Sequence, residues 1–547
     1  MKMFCIINRL VMSRLYIIFL TLFLLYGCYD DKGNYDYKTL DSLSITLPSK
    51  TYSCLFGEKL QISPTIETTI PETDLIYEWE FYGKDGDNYW SRYFPVYRGK
   101  ELDYTCLYND TLLPGEGTYS LRLNVTQNST GRHFYSETIS VKLDFQLSHI
   151  GAMILHGDGI SSDIGIVVAD EFQIVKPESS AAPEVYPHFY SNANAGEKID
   201  GRGQWIIQNC TKSSYRYPEN IFVIAVTDKE AVLAHSKSLL NNGSWNDLFN
   251  GGLNQGKPEN VVINSMSFMA FDGGDVFKKT STEVLFAVPL YAAADHEYDF
   301  DPRILPFSHH TYRDILRALL FDRAKRGFVA VIGSAGLNSF NKFLALDATV
   351  GAGSINAPFN PGDMKADLVH MDLGGLGDHV LAVMKNDDGE YFMVEMDVSV
   401  KTAPETPKFK YDLMHVEDVK NNRVIDWAFG STFMNMCYFA TPEGVYRFTV
   451  DNGKTIQPEP LMTANNAKVQ FEGNITMMKI LKPDIFSGNN NDVYYKSNVE
   501  MVVGTYGGTS GSGILYSIEL DPLSGRVLSV REYTGFDEIY DVNIKGY

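Results

Sequence analysis

The chain has 547 residues, of which 44% are hydrophobic and 21% are charged, a globular composition with length for roughly two to four domains. Its formal net charge is −21, and the first 27 residues carry three basic residues and no acidic one, so the remainder is more acidic still. Such an acidic surface disfavours nucleic acids and anionic lipids as partners, because both are polyanions.

The N-terminus has the layout of a secretory signal peptide. A basic start is followed by the apolar stretch Leu15–Leu25, which is too short to cross a bilayer as a helix. We therefore interpret residues 1–27 as a signal peptide. The tetrapeptide Leu25-Tyr26-Gly27-Cys28 resembles the lipobox of bacterial lipoproteins, which implies that Cys28 is lipidated and begins the mature chain. The alternative is a plain secreted protein in which Cys28 forms a disulfide or stays free.

Residues 28–40 are polar and rich in Gly, Asn and Tyr, and they predict a flexible tether. Asp30 and Asp31 resemble the surface-export signal of lipoproteins from the Bacteroidetes group, which implies an outer-membrane protein that faces the cell exterior. The alternative is a simple solvated tether. No later stretch is apolar enough to span a bilayer, so we expect membrane contact only through the lipid anchor.

Residues 41–146 alternate apolar and polar side chains, as half-buried strands do. In "LIYEWEFYG", Tyr77, Trp79 and Phe81 alternate with glutamates, and "GEGTYSLRLNV" repeats the pattern from Tyr119 onward. Turn signals separate several such strands, which predicts an immunoglobulin-like β-sandwich. We interpret Trp79 and Tyr119 as core residues rather than as a binding site.

The cysteines do not suggest a disulfide scaffold or a zinc site. Cys54 and Cys106 fall within the same predicted domain and could pair in an oxidising compartment, or they could remain free thiols. Neither lies on the strands that carry the standard immunoglobulin disulfide.

Residues 147–547 consist of short apolar strands joined by Gly, Asn and Asp turns, as in "HVLAVMKNDDGEYFMVEMD". Strands that end in Asp recur at Asp322, Asp397, Asp451 and Asp521, and we interpret these aspartates as turn caps. Repetition at this period in an all-β region predicts a six- to eight-bladed β-propeller. The alternative is a row of two or three stacked sandwiches.

Several of these features together resemble the PKD-like family lipoproteins of Bacteroidetes. They are "GCYDDKGNYDY", the "YEWEF" and "GTYSLRLNVT" strands, and the turn into "GAMILHGDG". The resemblance implies a lipid anchor, a PKD-like sandwich and a C-terminal β-propeller-like region. It also implies a surface accessory of a nutrient-uptake system, with outer-membrane uptake receptors as possible partners. It supplies no catalytic residue.

Motifs for metalloproteases, phosphate-binding loops and serine hydrolases do not occur in the sequence. The nearest cluster of metal-ligating or acid/base groups is the segment "DHEYDFDPRILPFSHH", here called the polar loop. Its candidate residues are Asp295, His296, Glu297, Asp299, Asp301, His309 and His310. Their spacing matches no known metal or catalytic site, which favours a surface loop. A second segment, Lys365–Val380, carries His370 and His379 around a glycine cluster and predicts a loop between blades.

We therefore expect a non-enzymatic surface lipoprotein with no cofactor, no metal and no catalytic residue. The sandwich would serve as a spacer, and the propeller would bind a glycan or protein ligand through aromatic side chains. Two rival functions remain open at this stage: a propeller hydrolase or lyase that acts on a polymer, and a structural subunit of an outer-membrane receptor complex.

Overall fold

The structure, a computed structural model, describes residues 41–546 of the chain with internal gaps. The gaps are residues 57, 86–87, 107–111, 114–115, 145–149, 210–220, 253, 265–266, 281–284, 287–297, 304, 307–315, 334–339, 346–356, 375–378, 398–405, 431–435 and 483–493. Backbone contacts divide the described residues into two compact units. The N-terminal unit comprises the residues up to Tyr52, Leu60–Tyr104 and Thr118–Lys142, and the C-terminal unit comprises Ser53–Lys59, Thr105–Gly117 and Leu143 onward.

Ten strands precede residue 145, and they form one large and two small sheets within the described residues. The strands are β1 (Leu43–Thr46), β2 (Thr51–Leu55), β3 (Lys59–Ile62), β4 (Thr65–Thr68), β5 (Leu75–Asp85), β6 (Asn88–Arg98), β7 (Leu102–Thr105), β8 (Gly117–Gln127), β9 (Arg132–Tyr135) and β10 (Ile139–Asp144). The large sheet has the order β2-β10-β8-β5-β6, with β9 paired to β8, and the small sheets pair β1 with β4 and β3 with β7.

The large sheet buries one of its faces, as the alternation in the sequence predicts. Trp79 and Phe81 of β5 are fully buried, and so is Leu123 of β8, which lies opposite Trp79. The ring of Phe81 lies 6.1 Å from that of Tyr104 in β7, so the small β3–β7 sheet packs on this buried face. The prediction that Trp79 is a core residue is confirmed. The other face of the sheet carries the polar partners of the alternation, such as Glu78 and Arg122.

The described part of the C-terminal unit contains seven antiparallel sheets, here numbered sheet 1 to sheet 7. Sheet 1 contains β11 (Gly151–Gly157), β12 (Ser161–Val168), β13 (Glu184–Tyr186), β14 (Ile199–Asp200) and β38 (Glu538–Lys545). Sheet 2 contains β15 (Gly203–Gln208), β16 (Phe222–Thr227), β17 (Ala231–His235) and β18 (Asn241–Ser244). Sheet 3 contains β19 (Pro258–Asn264), β20 (Ser267–Asp272) and β21 (Asp275–Thr280).

The remaining four sheets follow the same up-and-down order. Sheet 4 contains β22 (Leu305–Pro306), β23 (Leu316–Asp322), β24 (Gly327–Gly333) and β25 (Phe340–Ala345). Sheet 5 contains β26 (Ala366–Leu373), β27 (His379–Asn386), β28 (Tyr391–Asp397) and β29 (Thr406–Asp412). Sheet 6 contains β30 (Asp426–Gly430), β31 (Met436–Thr441), β32 (Gly444–Thr449) and β33 (Glu459–Pro460). Sheet 7 contains β34 (Asn474–Ile480), β35 (Glu500–Tyr506), β36 (Gly513–Leu520) and β37 (Val527–Phe536).

Sheet 1 joins the two ends of the C-terminal unit. Its order is β13-β12-β11-β38, so the last strand of the chain takes the position that the earliest strand occupies in sheets 2 to 7. Ile154 of β11 lies opposite Val542 of β38 in this pairing. We call β38, β15, β19, β22, β26, β30 and β34 the first strands. Each first strand contacts the first strands of the preceding and following sheets, and β34 of sheet 7 contacts β38 of sheet 1.

Apolar side chains fill the space between every pair of successive sheets. Among the described residues of the C-terminal unit these side chains form seven separate hydrophobic clusters, one for each neighbouring pair, and the cluster that contains Met477 and Ile154 lies between sheets 7 and 1. The strand that pairs with each first strand therefore buries both of its faces, as in β31, where every residue from Met436 to Thr441 is buried. This explains why these strands appear as continuous apolar runs in the sequence.

Helices are few in the described residues. The α-helices there are Phe189–Ala193 and Glu417–Lys420, each about one turn long. No helix in the described ranges is long and apolar enough to cross a membrane. The all-β prediction is confirmed.

The predicted turn aspartates lie at hairpins, but not all at the same one. Asp397, Asp451 and Asp521 end or follow the third strand of sheets 5, 6 and 7, whereas Asp322 ends the second strand of sheet 4. Asp521 accepts hydrogen bonds from the backbone N–H groups of Leu523 and Ser524, which is turn capping as expected. The spacing of these residues therefore reflects ordinary turn chemistry and does not give the repeat length directly.

Candidate functional site

Several predicted site residues lie outside the described residues. They are the proposed lipidation site Cys28, the proposed export signal Asp30 and Asp31, and five members of the polar loop, namely Asp295, His296, Glu297, His309 and His310. Their roles remain predictions.

The two described acids of the polar loop are both held by arginines. Asp299 accepts hydrogen bonds from Nε and Nη2 of Arg323 at 3.0 and 2.5 Å. Asp301 is buried and forms a two-pronged pair with Arg303, whose Nε and Nη2 donate at 2.7 and 2.6 Å. Nη1 of Arg303 also donates to the carbonyl oxygen of Val369 in sheet 5 at 2.5 Å. These pairs fix the chain between sheets, which is a structural use of the carboxylates.

Cys54 and Cys106 are brought together as two buried thiols. Both are free, and a side-chain hydrogen bond joins them. This hydrogen bond, together with burial, raises the pKa of the Cys106 thiol well above its usual value. The disulfide between Cys54 and Cys106 remains a prediction.

A group of polar side chains sits on or directly after the first strands of sheets 1, 5, 6 and 7. We call it the first-strand cluster, and its members are His370, Asp372, Asp426, Lys479, Lys482 and Asp541. These residues come from distant parts of the sequence, and the contacts between first strands bring them together.

Asp541 links three sheets within this cluster. Its Oδ1 accepts a hydrogen bond from Nζ of Lys479 at 2.9 Å, and its Oδ2 accepts one from the backbone N–H of Ile206 in sheet 2 at 3.0 Å. Asp541 is buried, while the Lys479 side chain is 35% exposed. One carboxylate thus ties sheets 7, 1 and 2 together.

Asp426 sits beside this pair at the start of β30. Its two oxygens accept hydrogen bonds from the backbone N–H groups of Trp427 at 2.9 Å and Met478 at 3.0 Å. Burial raises the pKa of the Asp426 carboxyl to about 6, although the two N–H groups act in the opposite direction. This side chain therefore titrates near neutrality, as general acids and bases do, but both of its oxygens are occupied by backbone groups.

Asp372, Lys482 and His370 form the other part of the cluster. Nζ of Lys482, which follows sheet 7, donates to Asp372 at 2.6 Å and to the carbonyl oxygen of Leu373 at 3.0 Å. His370 packs edge-on against the ring of Phe429, with centroids 4.9 Å apart, and its buried Nε2 has no hydrogen-bond partner in the described chain. Burial lowers the pKa of His370 to about 4, so this imidazole is neutral at pH 7.

The prediction that the segment Lys365–Val380 forms a loop around His370 and His379 is wrong. His370 lies within strand β26 and His379 begins strand β27, so neither belongs to a loop. His379 contacts Glu395 at 2.5 Å, and this contact raises the pKa of the imidazole. Glycines around the two histidines suggested a turn, but apolar alternation on both sides of them places each histidine in a strand.

The sequence reasoning missed Asp426, Lys479 and Asp541. Asp426 and Lys479 are each the single charge of an otherwise apolar strand, and this pattern was the available signal, whereas β38 carries Glu538 and Lys545 as well as Asp541. In the described ranges no group of three or more His, Cys, Asp or Glu side chains is arranged to hold a metal ion.

Comparison with known proteins gives similarities at low identity. A DUF4784 family protein from Bacteroides caccae is 8% identical, covers 93% of this chain and all of its own (100%), and has a TM-score of 0.27. TolB from Acinetobacter baumannii is 11% identical over 63% of this chain and 79% of its own, with a TM-score of 0.25. A putative TolB from Agrobacterium tumefaciens is 7% identical over 57% of this chain and 88% of its own, with a TM-score of 0.26.

These TM-scores are too low to assign a fold or a function from the structural similarities. No curated protein matches the sequence. The sequence model of the PKD-like family matches residues 28–202, a range that begins at Cys28 and ends just after β14 of sheet 1.

Proposed function

We propose that this protein is a surface-exposed outer-membrane lipoprotein that binds a glycan or protein nutrient without turning it over. In this proposal the N-terminal unit is an immunoglobulin-like, PKD-like sandwich, and the C-terminal unit is a seven-bladed β-propeller that carries the ligand on its loops. Outer-membrane uptake receptors are the proposed partners.

Two features support a propeller of seven blades. Each of sheets 2 to 7 is a short meander, and in sheet 1 the pairing of β38 with β11 adds a strand from the other end of the unit to the strands β11 to β13. The hydrophobic clusters also return to sheet 1, because one of them lies between sheets 7 and 1. A ring of blades leaves short, protected strand edges, which suits a protein exposed outside the cell.

The single observation that carries the non-catalytic proposal is the state of the acidic side chains. A typical glycosidase needs two carboxyl groups that face the substrate. Asp301, Asp372 and Asp541 instead pair with an arginine or lysine at 2.6–2.9 Å, and Asp426 accepts two backbone N–H groups. Neighbouring carboxylates are thereby used to join sheets, which supports a rigid binding scaffold.

Localisation rests on the sequence and on the family match. The match begins at Cys28, the residue that we expect to begin the mature chain. An acylated cysteine would hold the protein at a membrane, because each buried CH₂ contributes about 0.8 kcal/mol.

Ligand binding is tested by screening the mature chain against polysaccharide and protein libraries. We expect a stable complex and no released product. Chromatographic detection of a shortened polymer would refute the proposal in favour of a hydrolase or lyase. Co-purification with an outer-membrane receptor in the absence of any free ligand would instead favour a structural subunit.

The anchor is tested by labelling cells with an alkyne fatty acid. Cys28→Ala should abolish the label and release the protein from the membrane fraction, whereas Cys5→Ala, within the predicted signal, should keep both. Protease treatment of intact cells then tests surface exposure. A Cys28→Ala protein that still carries the label would contradict the lipidation proposal.

A further inference from the structure

The outer face of the large N-terminal sheet carries a row of aromatic and cationic side chains. We call it the tyrosine face, and its members are Tyr82 of β5, Tyr93 of β6, Arg122 of β8, and His133 and Tyr135 of β9. Strands β6, β5, β8 and β9 are neighbours in this order, and Tyr82 lies directly opposite Tyr93. Trp79, Phe81 and Leu123 point to the buried face, so the row occupies the opposite, solvent-facing side.

The members of this row contact each other in sequence. The Tyr82 and Tyr93 rings have centroids 5.1 Å apart. The guanidinium carbon of Arg122 lies 3.6 Å from the Tyr93 centroid and 4.1 Å from the Tyr135 centroid, so the cation sits between two rings. His133 stacks on Tyr135 with centroids 6.1 Å apart and planes within 7°. These contacts hold the rings in place before any ligand arrives.

Two of the aromatic rings in the tyrosine face are exposed to solvent although they are largely apolar. Tyr82 is 46% exposed and Tyr135 is 50% exposed, and neither hydroxyl makes a hydrogen bond to another described residue. Aromatic side chains bury large areas and are usually covered when nothing binds them. A preorganised row of exposed rings therefore suggests a ligand.

Buried polar groups support the row from beneath. Nε of Arg122 donates to Glu80 at 2.8 Å, and the amide of Asn124 donates to the other Glu80 oxygen at 2.9 Å. Nδ1 of His133 contacts Asn124 at 3.1 Å and Thr126 at 3.0 Å. The two terminal nitrogens of Arg122 have no acceptor among the described residues, and its side chain is 23% exposed.

We propose that the tyrosine face binds an uncharged glycan chain, so that the N-terminal unit is a ligand-binding module as well as a spacer. Sugar rings present an apolar C–H face to aromatic rings and hydroxyl groups to neighbouring donors and acceptors, which matches rings that alternate with Arg122 and His133. Glu80 neutralises the Arg122 charge, and the whole chain carries a net charge of −21, so a polyanion is disfavoured. This site is independent of the ligand proposed for the C-terminal unit.

The test is affinity electrophoresis of the full mature chain in gels that contain amylose, mannan or xylan, with pectate as the anionic comparison. Tyr82→Ala and Tyr135→Ala should each weaken binding to a neutral polysaccharide about tenfold, because each removes one stacking ring. Tyr82→Phe and Tyr135→Phe, which keep the rings, should bind within about threefold of the wild type. Ile76→Ala is the matched control, since Ile76 is 43% exposed and lies on the same face of β5.

The outcomes separate this proposal from the one for the C-terminal unit. Retardation that is lost in the two alanine variants and kept in Ile76→Ala supports the tyrosine face as the site. Retardation that all variants retain overturns this inference and leaves a site in the C-terminal unit standing. Binding of none of the neutral polysaccharides, or binding only of pectate or of a peptide library, overturns it as well.

Discussion

The charge at Asp541 offers a direct test of how sheets 7, 1 and 2 are held together. In Asp541→Ala the buried N–H of Ile206 loses its acceptor, which costs about 1–3 kcal/mol. The same change removes the pair with Lys479, which is worth only about 1 kcal/mol because the Lys479 side chain is 35% exposed and can turn to solvent. The free energy of unfolding should therefore fall by about 2–4 kcal/mol.

Asp541→Asn separates the two contributions. An asparagine can still accept the hydrogen bond from Ile206 but cannot pair with the lysine charge, so its cost should be about 1 kcal/mol. Lys479→Met, made alone and with Asp541→Asn, gives the coupling energy between the two side chains, which we expect to be at least about 0.5 kcal/mol.

The assay is urea unfolding of the mature chain, followed by the fluorescence of Trp205, Trp245 and Trp427 in the C-terminal unit. Asp387→Ala is the control, because that carboxylate is 73% exposed and pairs with Arg326 on the surface at 2.7 Å. Its midpoint should match the wild type. Equal losses in Asp541→Ala and Asp541→Asn would refute the role of the Ile206 hydrogen bond, and midpoints that all match the control would refute the link between sheets.

Three further predictions concern buried groups. Burial raises the pKa of Glu500 to about 7, so between about pH 4.5 and 7 the folded chain keeps a proton on Glu500 that the unfolded chain has already released. The free energy of unfolding should therefore fall as the pH rises through this range. In urea titrations, Glu500→Gln should remove on the order of 1–3 kcal/mol of this fall. A wild-type and a Glu500→Gln slope that coincide would contradict this. Trp79→Ala should lower the stability of the N-terminal unit by about 3–5 kcal/mol, whereas Trp79→Phe should cost less, because the indole Nε1 has no hydrogen-bond partner in the described chain; calorimetry that ranks the variants in the reverse order would count against this packing. Gly513→Ala should lower the thermal midpoint more than Gly444→Ala, because the added Cβ at Gly513 would overlap the backbone carbonyl oxygen of Asp537, while that at Gly444 would meet only the flexible end of Lys468 at 3.8 Å; equal midpoints would argue against this close approach.

Local sequence patterns predicted which segments form strands and turns. Alternation around Trp79 correctly identified a buried strand, and apolar runs such as that of β31 identified strands that are buried on both faces. This succeeds because a period of two records which side of a strand faces the core, and continuous apolar runs record burial on both sides. Turn chemistry at Asp521 was equally local and equally readable.

The candidate site depended much more on long-range packing. The sequence singled out the polar loop as a cluster, but Asp299 pairs with Arg323 in sheet 4, and Arg303, the local partner of Asp301, also donates to the carbonyl oxygen of Val369 in sheet 5. The contacts with Arg323 and Val369 depend on which strands become neighbours. Spacing along the chain does not contain that information, because side chains meet across sheets.

The sequence by itself determined the proposed anchor at Cys28, the acidic surface and the all-β class, since each follows from residue type and local period. Only the tertiary structure decided that β38 pairs with β11, that Asp541 joins three sheets and that Arg122 lies between two tyrosine rings. Strand pairing and sheet stacking bring residues hundreds of positions apart within bonding distance, and alternation is the same whichever strand becomes the neighbour.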